Sequence, residues 1–527
     1  MVGIVRSNRD LPITLRYPRA MAPHFTRICL INPPSAFLLD ERVFVNLGLL
    51  KVAAVLEAAG CTVDFVDLSG VQNYLDVLEH YCSGTTHDVV GLTATTPQLP
   101  AVMKVREVLR NRWPQARLIL GGPHTTLMYA ARKVEQKRGT VGGRGARGVD
   151  LLETAFDVLC AGDGESAIFA AMAKAPPKYI DGDDHHSPLF MSNADYEASP
   201  LPARHLIDMK SYRYQIEGRP ATNLIAQLGC PFNCGFCGGR NSRSLRLIRT
   251  RSSESVVQEI EFLHREYGYC GFMFYDDELN VNPRLVELMD QLTALQERLG
   301  VEFRLRGFIK AELFSDAQAA AMYRAGFRWL LCGFEAAAPR ILTNIDKRAT
   351  LDDNNRAMAI ARRHGLKVKA LMSMGHPGDS EETALAIRDW LIGHRVDDFD
   401  VTLITPYPGT PYHDLAVPHD SLPDVWTYSH PKTGDRLHAR TVDYAVTADY
   451  YKGIPGGGYQ SFVFTDYLSS DQLVSLRDRI EAEVRQALNI PFNQASSSVF
   501  FEHSMGQGPS LPDSILRQAR PEAVVAL

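Results

Sequence analysis

The stretch Gly229-Cys230-Pro231-Phe232-Asn233-Cys234-Gly235-Phe236-Cys237-Gly238-Gly239-Arg240 decides how the rest of the chain is read. Its cysteines are spaced Cys-x3-Cys-x2-Cys. With nine cysteines in 527 residues, chance gives that spacing in roughly three chains per thousand. Three thiolates on one short loop cannot complete a four-cysteine iron–sulfur or zinc site. A four-iron four-sulfur cluster held by Cys230, Cys234 and Cys237 keeps one iron without a protein ligand. That iron can be chelated by the amino and carboxylate groups of a methionine moiety, with the loop supplying position and tuning. Gly235, Gly238 and Gly239 give the backbone room to wrap a cluster. The rival reading is a zinc knuckle completed by His205 or Cys270. Cys29, Cys61, Cys82, Cys160, Cys270 and Cys332 lie in apolar surroundings and read as buried structural thiols.

The motif follows an apolar run at 222–228, the first of six candidate strands, with others at 271–275, 302–309, 329–334, 367–374 and 398–405. Helical stretches separate them. Ser252 can cap one whose Val256, Ile260 and Leu263 share a face. Six strand–helix units in this span predict a barrel or partial barrel, whose sites gather at the carboxyl ends of the strands. Those ends carry Tyr275-Asp276-Asp277-Glu278, Gly333-Phe334-Glu335-Ala336, Met374-Gly375-His376-Pro377-Gly378-Asp379-Ser380-Glu381-Glu382 and Thr405-Pro406-Tyr407-Pro408-Gly409-Thr410-Pro411. Bland roles are open to each: Asp276 and Asp277 can cap a helix, Glu335 can pair with Arg306, and His376 can satisfy a turn.

Towards the amino end, residues 27–175 alternate short apolar runs (27–32, 62–67, 88–93, 116–120, 156–160) with helical stretches (48–59, about 99–112). That pattern predicts a parallel sheet covered on both faces, with ligands at the carboxyl strand ends. The ends read Asn32-Pro33-Pro34, Thr93-Ala94-Thr95-Thr96, Gly121-Gly122-Pro123-His124 and Gly162-Asp163-Gly164-Glu165, small enough for a large ligand to approach the backbone. Residues 132–148, basic and glycine-rich, read as an inserted solvated loop. Residues 175–188, with His185 and His186, read as a linker.

Beyond residue 410 the alternation stops. Residues 425–458 are rich in Tyr, His and Gly. Residues 470–488 predict a helix with Leu473, Leu476, Ile480 and Val484 on one face. Tyr407, Tyr412, Tyr450, Tyr451 and Tyr459 are candidate pocket walls, and the residues from about 493 read as loosely ordered. The net charge of −5, from 56 basic and 61 acidic residues, gives no global reason to expect nucleic acid. No apolar run approaches the roughly 20 residues of a membrane span. The first 23 residues do not read as a secretory signal, so a cytoplasmic enzyme is expected.

The cysteine motif, with the aromatic Phe236 before its third cysteine, resembles that of the radical S-adenosylmethionine (SAM) superfamily. The resemblance runs over residues 222–410 and includes the four strand-end motifs above, with Ala336 in place of a serine in the Gly-x-Glu-Ser pattern. It implies that Cys230, Cys234 and Cys237 bind a 4Fe-4S cluster. It also implies that Phe236, Asp276, Asp277, Glu278, Gly333, Glu335, Ser373, Gly375 and Pro377 contact SAM. The 27–215 segment, with Pro202-Ala203-Arg204 and Tyr212 in its linker, resembles the cobalamin-binding domain of cobalamin-dependent members. Asn32, Thr95, Thr96, Gly121, Gly122, Pro123, Gly162, Gly164 and Glu165 would then contact cobalamin. The Asp-x-His-x-x-Gly motif is absent, which implies cobalt without a histidine from that motif.

The resemblance implies an α/β chain in five parts: an extension (1–26), a Rossmann-like cobalamin-binding domain (27–175), a linker (176–215), a radical SAM (β/α)6 partial barrel (216–410) and a small α+β substrate-shaping region (411–527). The implied reaction is reductive cleavage of SAM to a 5′-deoxyadenosyl radical. Cobalamin-dependent methylation of an unactivated carbon of a small molecule would follow, with flavodoxin or ferredoxin as electron donor. Alternatives are a cobalamin-dependent cyclase or rearrangement enzyme and a methylthiotransferase, although no further cysteine triad supports the latter. A zinc-stabilised nucleic-acid-binding module is the alternative from another class. The oligomeric state is not readable.

Overall fold

The computed structural model describes residues 24–35, 41–447 and 460–490. The amino-terminal extension up to residue 23, Tyr450, Tyr451, Tyr459 and the segment from 491 lie outside the described residues.

The first domain is a parallel sheet of order β2-β1-β3-β4-β5-β6. Its strands are β1 (Arg27–Asn32), β2 (Thr62–Asp67), β3 (Val89–Thr93), β4 (Arg117–Gly121), β5 (Val158–Gly162) and β6 (Tyr179–Gly182). They read as unbroken apolar runs because both faces are covered. Helices Leu47–Ala58 and Gly164–Ala171 bury one face. Helices Tyr74–Gly84, Leu99–Arg112, Pro123–Lys137 and Arg144–Ala155 bury the other. The strand order reverses between β1 and β3, which opens a ligand crevice at their carboxyl ends.

Two expectations are corrected here. The basic 132–148 segment is not a loop. Helix Pro123–Lys137 runs into it and helix Arg144–Ala155 starts within it. Buried Val149 and Leu152 anchor the second helix, and Glu135 accepts from Gly145 N at 2.7 Å and Ala146 N at 2.8 Å, satisfying its first amides. The expected linker at 176–215 begins with β6, which pairs with β5, so the sheet runs to Gly182. Tyr179 stacks on Tyr129 with centroids 3.6 Å apart, which ties that strand to the hairpin.

The second sheet has the order β15-β14-β13-β12-β11-β8-β7. It comprises β7 (Gln215–Ile216), β8 (Arg219–Leu224), β11 (Gly271–Phe274), β12 (Arg304–Ile309), β13 (Phe327–Glu335), β14 (Lys367–Met374) and β15 (Asp398–Leu403). Six strands are parallel and β7 is an antiparallel edge, giving the expected open half barrel. Its helices pack by the predicted faces. Ser252 accepts from Ser255 N, while Val256, Ile260 and Leu263 are buried. The short ribbon of β9 (Gln227–Leu228) and β10 (Arg249–Thr250) closes the base of the cysteine loop.

The carboxyl-terminal part is an antiparallel sheet of β16 (Val417–Pro418), β17 (Val425–Ser429), β18 (Arg436–Arg440) and β19 (Val463–Thr465), followed by helix Ser470–Leu488. Buried Leu473, Leu476, Ile480 and Val484 hold that helix against helix Glu381–His394. Among the described residues, no helix is long and apolar enough to cross a membrane.

Candidate active site

The cysteine loop is held by backbone bonds from four directions. Cys230 N donates to Leu245 O (3.1 Å), Gly235 N donates to Ile345 O (2.7 Å), Tyr412 N donates to Gly235 O (3.1 Å), and Cys237 N donates to Cys234 O (3.2 Å). Arg240 and Arg246 donate to Cys230 O and Pro231 O, each at 3.0 Å. Gly229, at φ 86°, makes the turn into the loop; a Cβ there would stand 2.1 Å from Leu247 O. Gly235 admits the Tyr412 ring, whose Cε1 would lie 2.4 Å from a Cβ at that position.

The donors suit an iron–sulfur cluster and not zinc. Among the described residues, the only three metal-binding ligand atoms mutually within 4.8 Å belong to the exposed Asp184, His185 and His186. The proposed fourth zinc ligands are committed elsewhere. His205 Nε2 lies 3.0 Å from Glu57, and Cys270 precedes β11, at the opposite end of the sheet from the loop. Burial pushes the Cys230 thiol up to about 11 and raises that of Cys234, so a bound metal is what would hold both as thiolates.

Around the loop stand cations that composition and spacing had not singled out. Lys310, at the end of β12, is buried; its Nζ donates to Lys347 O (3.0 Å) and sits 4.1 Å from the Phe232 ring centroid. Buried Lys347 pairs with Glu335 Oε1 at 3.0 Å. The strand-end position of Lys310 was a usable signal; Lys347 lies past a helix and offered none. Both lysines and Arg240 can offset the negative charge of a thiolate-bound cluster.

The acid cluster divides by role. Asp276 is buried and accepts from Ala226 N at 3.2 Å through Oδ2, while its Oδ1 has no partner. Glu278 Oε2 is likewise buried and unpartnered. Burial lifts both carboxyls to about 7. Two orphaned acceptors beside the loop fit a cationic donor such as a methionine ammonium. Asp277 is tied to the loop by a bond from the Gly229 amide.

Glu335 reaches the site through a bulge. The register between β13 and β14 shifts at Gly333/Glu335, and Glu335 takes φ 66°. A Cβ on Gly333 would lie 2.6 Å from Glu335 Oε1, so only glycine leaves the carboxylate room. Glu335 pairs with Lys347 and not with Arg306, which lies over the Trp329 ring. Burial opposes its charge, but Lys347 and Ser373 hold the carboxyl below its usual range. Ser373 Oγ donates to Glu335 Oε2 (2.8 Å), so His376 Nε2, 2.8 Å from Ser373 Oγ, must donate to the serine. His376 Nδ1 then faces the Tyr412 hydroxyl at 3.4 Å, and its ring meets Phe236 edge-on at 5.2 Å. Burial lowers His376 to about 4, keeping it neutral.

Gly375 and Pro377, expected to contact SAM, are buried under the carboxyl-terminal sheet. A Cβ on Gly375 would meet Val463 at 2.9 Å, and Pro377 O accepts from Asn344 Nδ2 at 2.7 Å. That turn packs under a roof, leaving Ser373 as the polar group it offers the site.

The first domain's strand ends face the cysteine loop. Asp163, after β5, makes a two-pronged ion pair with Arg249 of β10, at 2.5 and 3.3 Å. Asp183 binds Ser242 and Ser244, and Leu127 packs on Gly238 and Gly409. Tyr212 donates to Asp67 at 2.6 Å, and Arg204 pairs with Glu259 at 2.6 Å, fixing the connecting segment.

The residues expected to meet cobalamin fall into two groups. Asn32 is engaged with Asp67 and Asn46, and Thr96 with His124. Gly162 abuts Gly182, Gly164 abuts Val52, and Gly122, at φ 93°, is pressed on Thr93 and Ala94. These shape the cleft from within. Thr95 and Pro123 are exposed, and a Cβ on Gly121 would meet nothing closer than 3.8 Å, so the surface above β4 is open to a large planar ligand. Glu165 is half-buried, its carboxyl raised to about 7 by burial.

A half barrel with three cysteines beyond its first strand is thus faced by the open crevice of a parallel sheet. The family model of the radical SAM superfamily matches residues 224–391, and that of the B12 binding domain matches residues 41–153. The chain therefore carries a radical SAM domain with a B12-binding domain ahead of it. It is 28% identical over 338 residues to an uncharacterized methyltransferase of Pyrococcus horikoshii, covering 64% of this chain and 70% of that one. It is 26% identical over 367 residues to the anaerobic magnesium-protoporphyrin IX monomethyl ester cyclase of Rubrivivax gelatinosus, covering 68% of this chain and 63% of that one. In fold it is similar to the radical SAM methyltransferase TsrM of Kitasatospora setae, solved with cobalamin and a 4Fe-4S cluster. The TM-score is 0.62 at 16% identity, covering 92% of this chain and 91% of that one.

Proposed function

We propose that the protein is a cobalamin-dependent radical SAM methyltransferase acting on an unactivated carbon of a small molecule. The observation that carries this reading is the Asp163–Arg249 clamp, which aims the first domain's crevice at the cysteine loop. When bound, the cluster supplies the electron that cleaves SAM, and cobalamin carries the methyl group. The chain's own residues do the rest. Cys230, Cys234 and Cys237 would hold the cluster while Lys310, Lys347 and Arg240 would balance its charge. Asp276 Oδ1 and Glu278 Oε2 would accept from the methionine ammonium. Glu335, steadied by Lys347 and Ser373, would serve the ribose. Thr95, Gly121, Pro123 and Glu165 would line the corrinoid face. Half-buried walls on both sides limit water around reactive groups. A small electron-donor protein completes the system, and the cytoplasm is the setting.

The test is anaerobic reconstitution with iron, sulfide and cobalamin, followed by reductant and SAM. Formation of both 5′-deoxyadenosine and S-adenosylhomocysteine is expected. 5′-Deoxyadenosine without S-adenosylhomocysteine would favour the cyclase type of chemistry named for the Rubrivivax relative. Protein that takes up no iron would sink the reading.

A further inference from the structure

A cavity of about 290 Å3 lies between the helical hairpin 123–155 of the first domain, the end of β15 and the segment 439–445. That is near the lower bound for small-molecule pockets. Its walls are apolar where Met128, Tyr444 and Phe462 contribute, and its charged lining is Arg144, Arg147 and Arg440 against a single acid, Asp443. Arg144 is committed: it donates to His413 O at 2.5 Å and lies 4.2 Å from the Trp426 ring centroid. Among the described residues, the guanidinium groups of Arg147 and Arg440 have no hydrogen-bond or ion-pair partner. Two uncommitted guanidinium groups on an apolar cavity form a receptor for a carboxylate or phosphate attached to a hydrocarbon body. The cavity also borders the reaction space. Thr405, Pro406 and Pro408 form part of its wall, and His413 in that wall adjoins Tyr412, whose ring covers Gly235 of the cysteine loop.

We propose that this cavity binds the anionic arm of the substrate, with Arg147 and Arg440 selecting acids over their neutral analogues. Calling the ligand a substrate rests on the methyltransferase reading; the anion site itself does not. The same chemistry could be met by the phosphodiester of the cobalamin tail, and the experiment separates the two.

Calorimetric titration of the reconstituted, cobalamin-loaded protein with 4-phenylbutyrate and with the neutral 4-phenylbutanamide reads the site directly. The carboxylate is expected to bind at least about tenfold more tightly than the amide, with affinity falling as salt rises. Arg147→Glu and Arg440→Glu should each cost about tenfold or more in carboxylate binding. Equal affinity for acid and amide, or no binding of the acid, overturns the proposal without recourse to any variant. Cobinamide, which lacks the nucleotide tail, is the second arm. If the arginine variants weaken cobalamin but not cobinamide, the anion is the cofactor's and the substrate assignment fails. 5′-Deoxyadenosine formation by the wild-type protein is measured separately. Its absence with acid binding intact refutes the methyltransferase reading and leaves the anion site standing.

Discussion

His376 shows how much one side chain can fix. Because Glu335 is an acceptor only, Ser373 must donate to it and His376 must donate to Ser373. His376→Phe keeps an aromatic ring against Phe236 but removes that donor. SAM affinity, measured by equilibrium binding to reconstituted protein, is expected to fall about tenfold, matching the loss of roughly one to two kcal/mol of buried hydrogen bonding. His376→Gln, which keeps a donor, is expected to recover part of it. Unchanged affinity in the phenylalanine variant would show that the network leaves Glu335 alone. At this scale the sequence was uneven. Cys230, Cys234, Cys237 and the Asp276–Glu278 cluster were legible from spacing and from their place at strand ends. Lys347 was not, because its place beside Glu335 comes from a fold-back that follows helix Pro339–Ile345.

Among elements, the turn into the cysteine loop is the least tolerant. Gly229 combines φ 86° with a carbonyl oxygen 2.1 Å from any Cβ, whereas Gly300, at φ 66°, has nothing within 4 Å. Gly300→Ala is expected to cost about 1 kcal/mol from left-handed backbone alone. Gly229→Ala is expected to cost about 3 kcal/mol or more, since the loop must also shift. Urea denaturation of both variants, with iron content after reconstitution, checks this, and equal costs would mean the loop yields freely. Strands such as β1 and β14 were legible to the residue because their apolar runs are covered on both sides. β6 escaped notice because Tyr179-Ile180-Asp181-Gly182 is short and half polar. The hairpin at 132–148 was hidden by its glycines and arginines, although the buried Val149 and Leu152 beyond them are what form the helix.

For the whole molecule, the relation between the two sheets is held by apolar packing of Val45, Leu47 and Leu50 on the barrel core and by polar ties, among which Asp163–Arg249 is a buried ion pair. Asp163→Ala leaves a guanidinium enclosed without its counter-ion and is expected to cost about 3–5 kcal/mol. The double change Asp163→Ala/Arg249→Met is expected to recover much of that loss in denaturant titration; no recovery would show that the pair is incidental. Domain pairing of this kind could not be read from residues 163 and 249 apart, since nothing local joins them. The seating of Tyr412 against Gly235 has a consequence for how the protein is made ready. That ring comes from the segment after the last barrel strand, so the wall beside the thiols is finished only when the far end of the chain has folded back onto the loop.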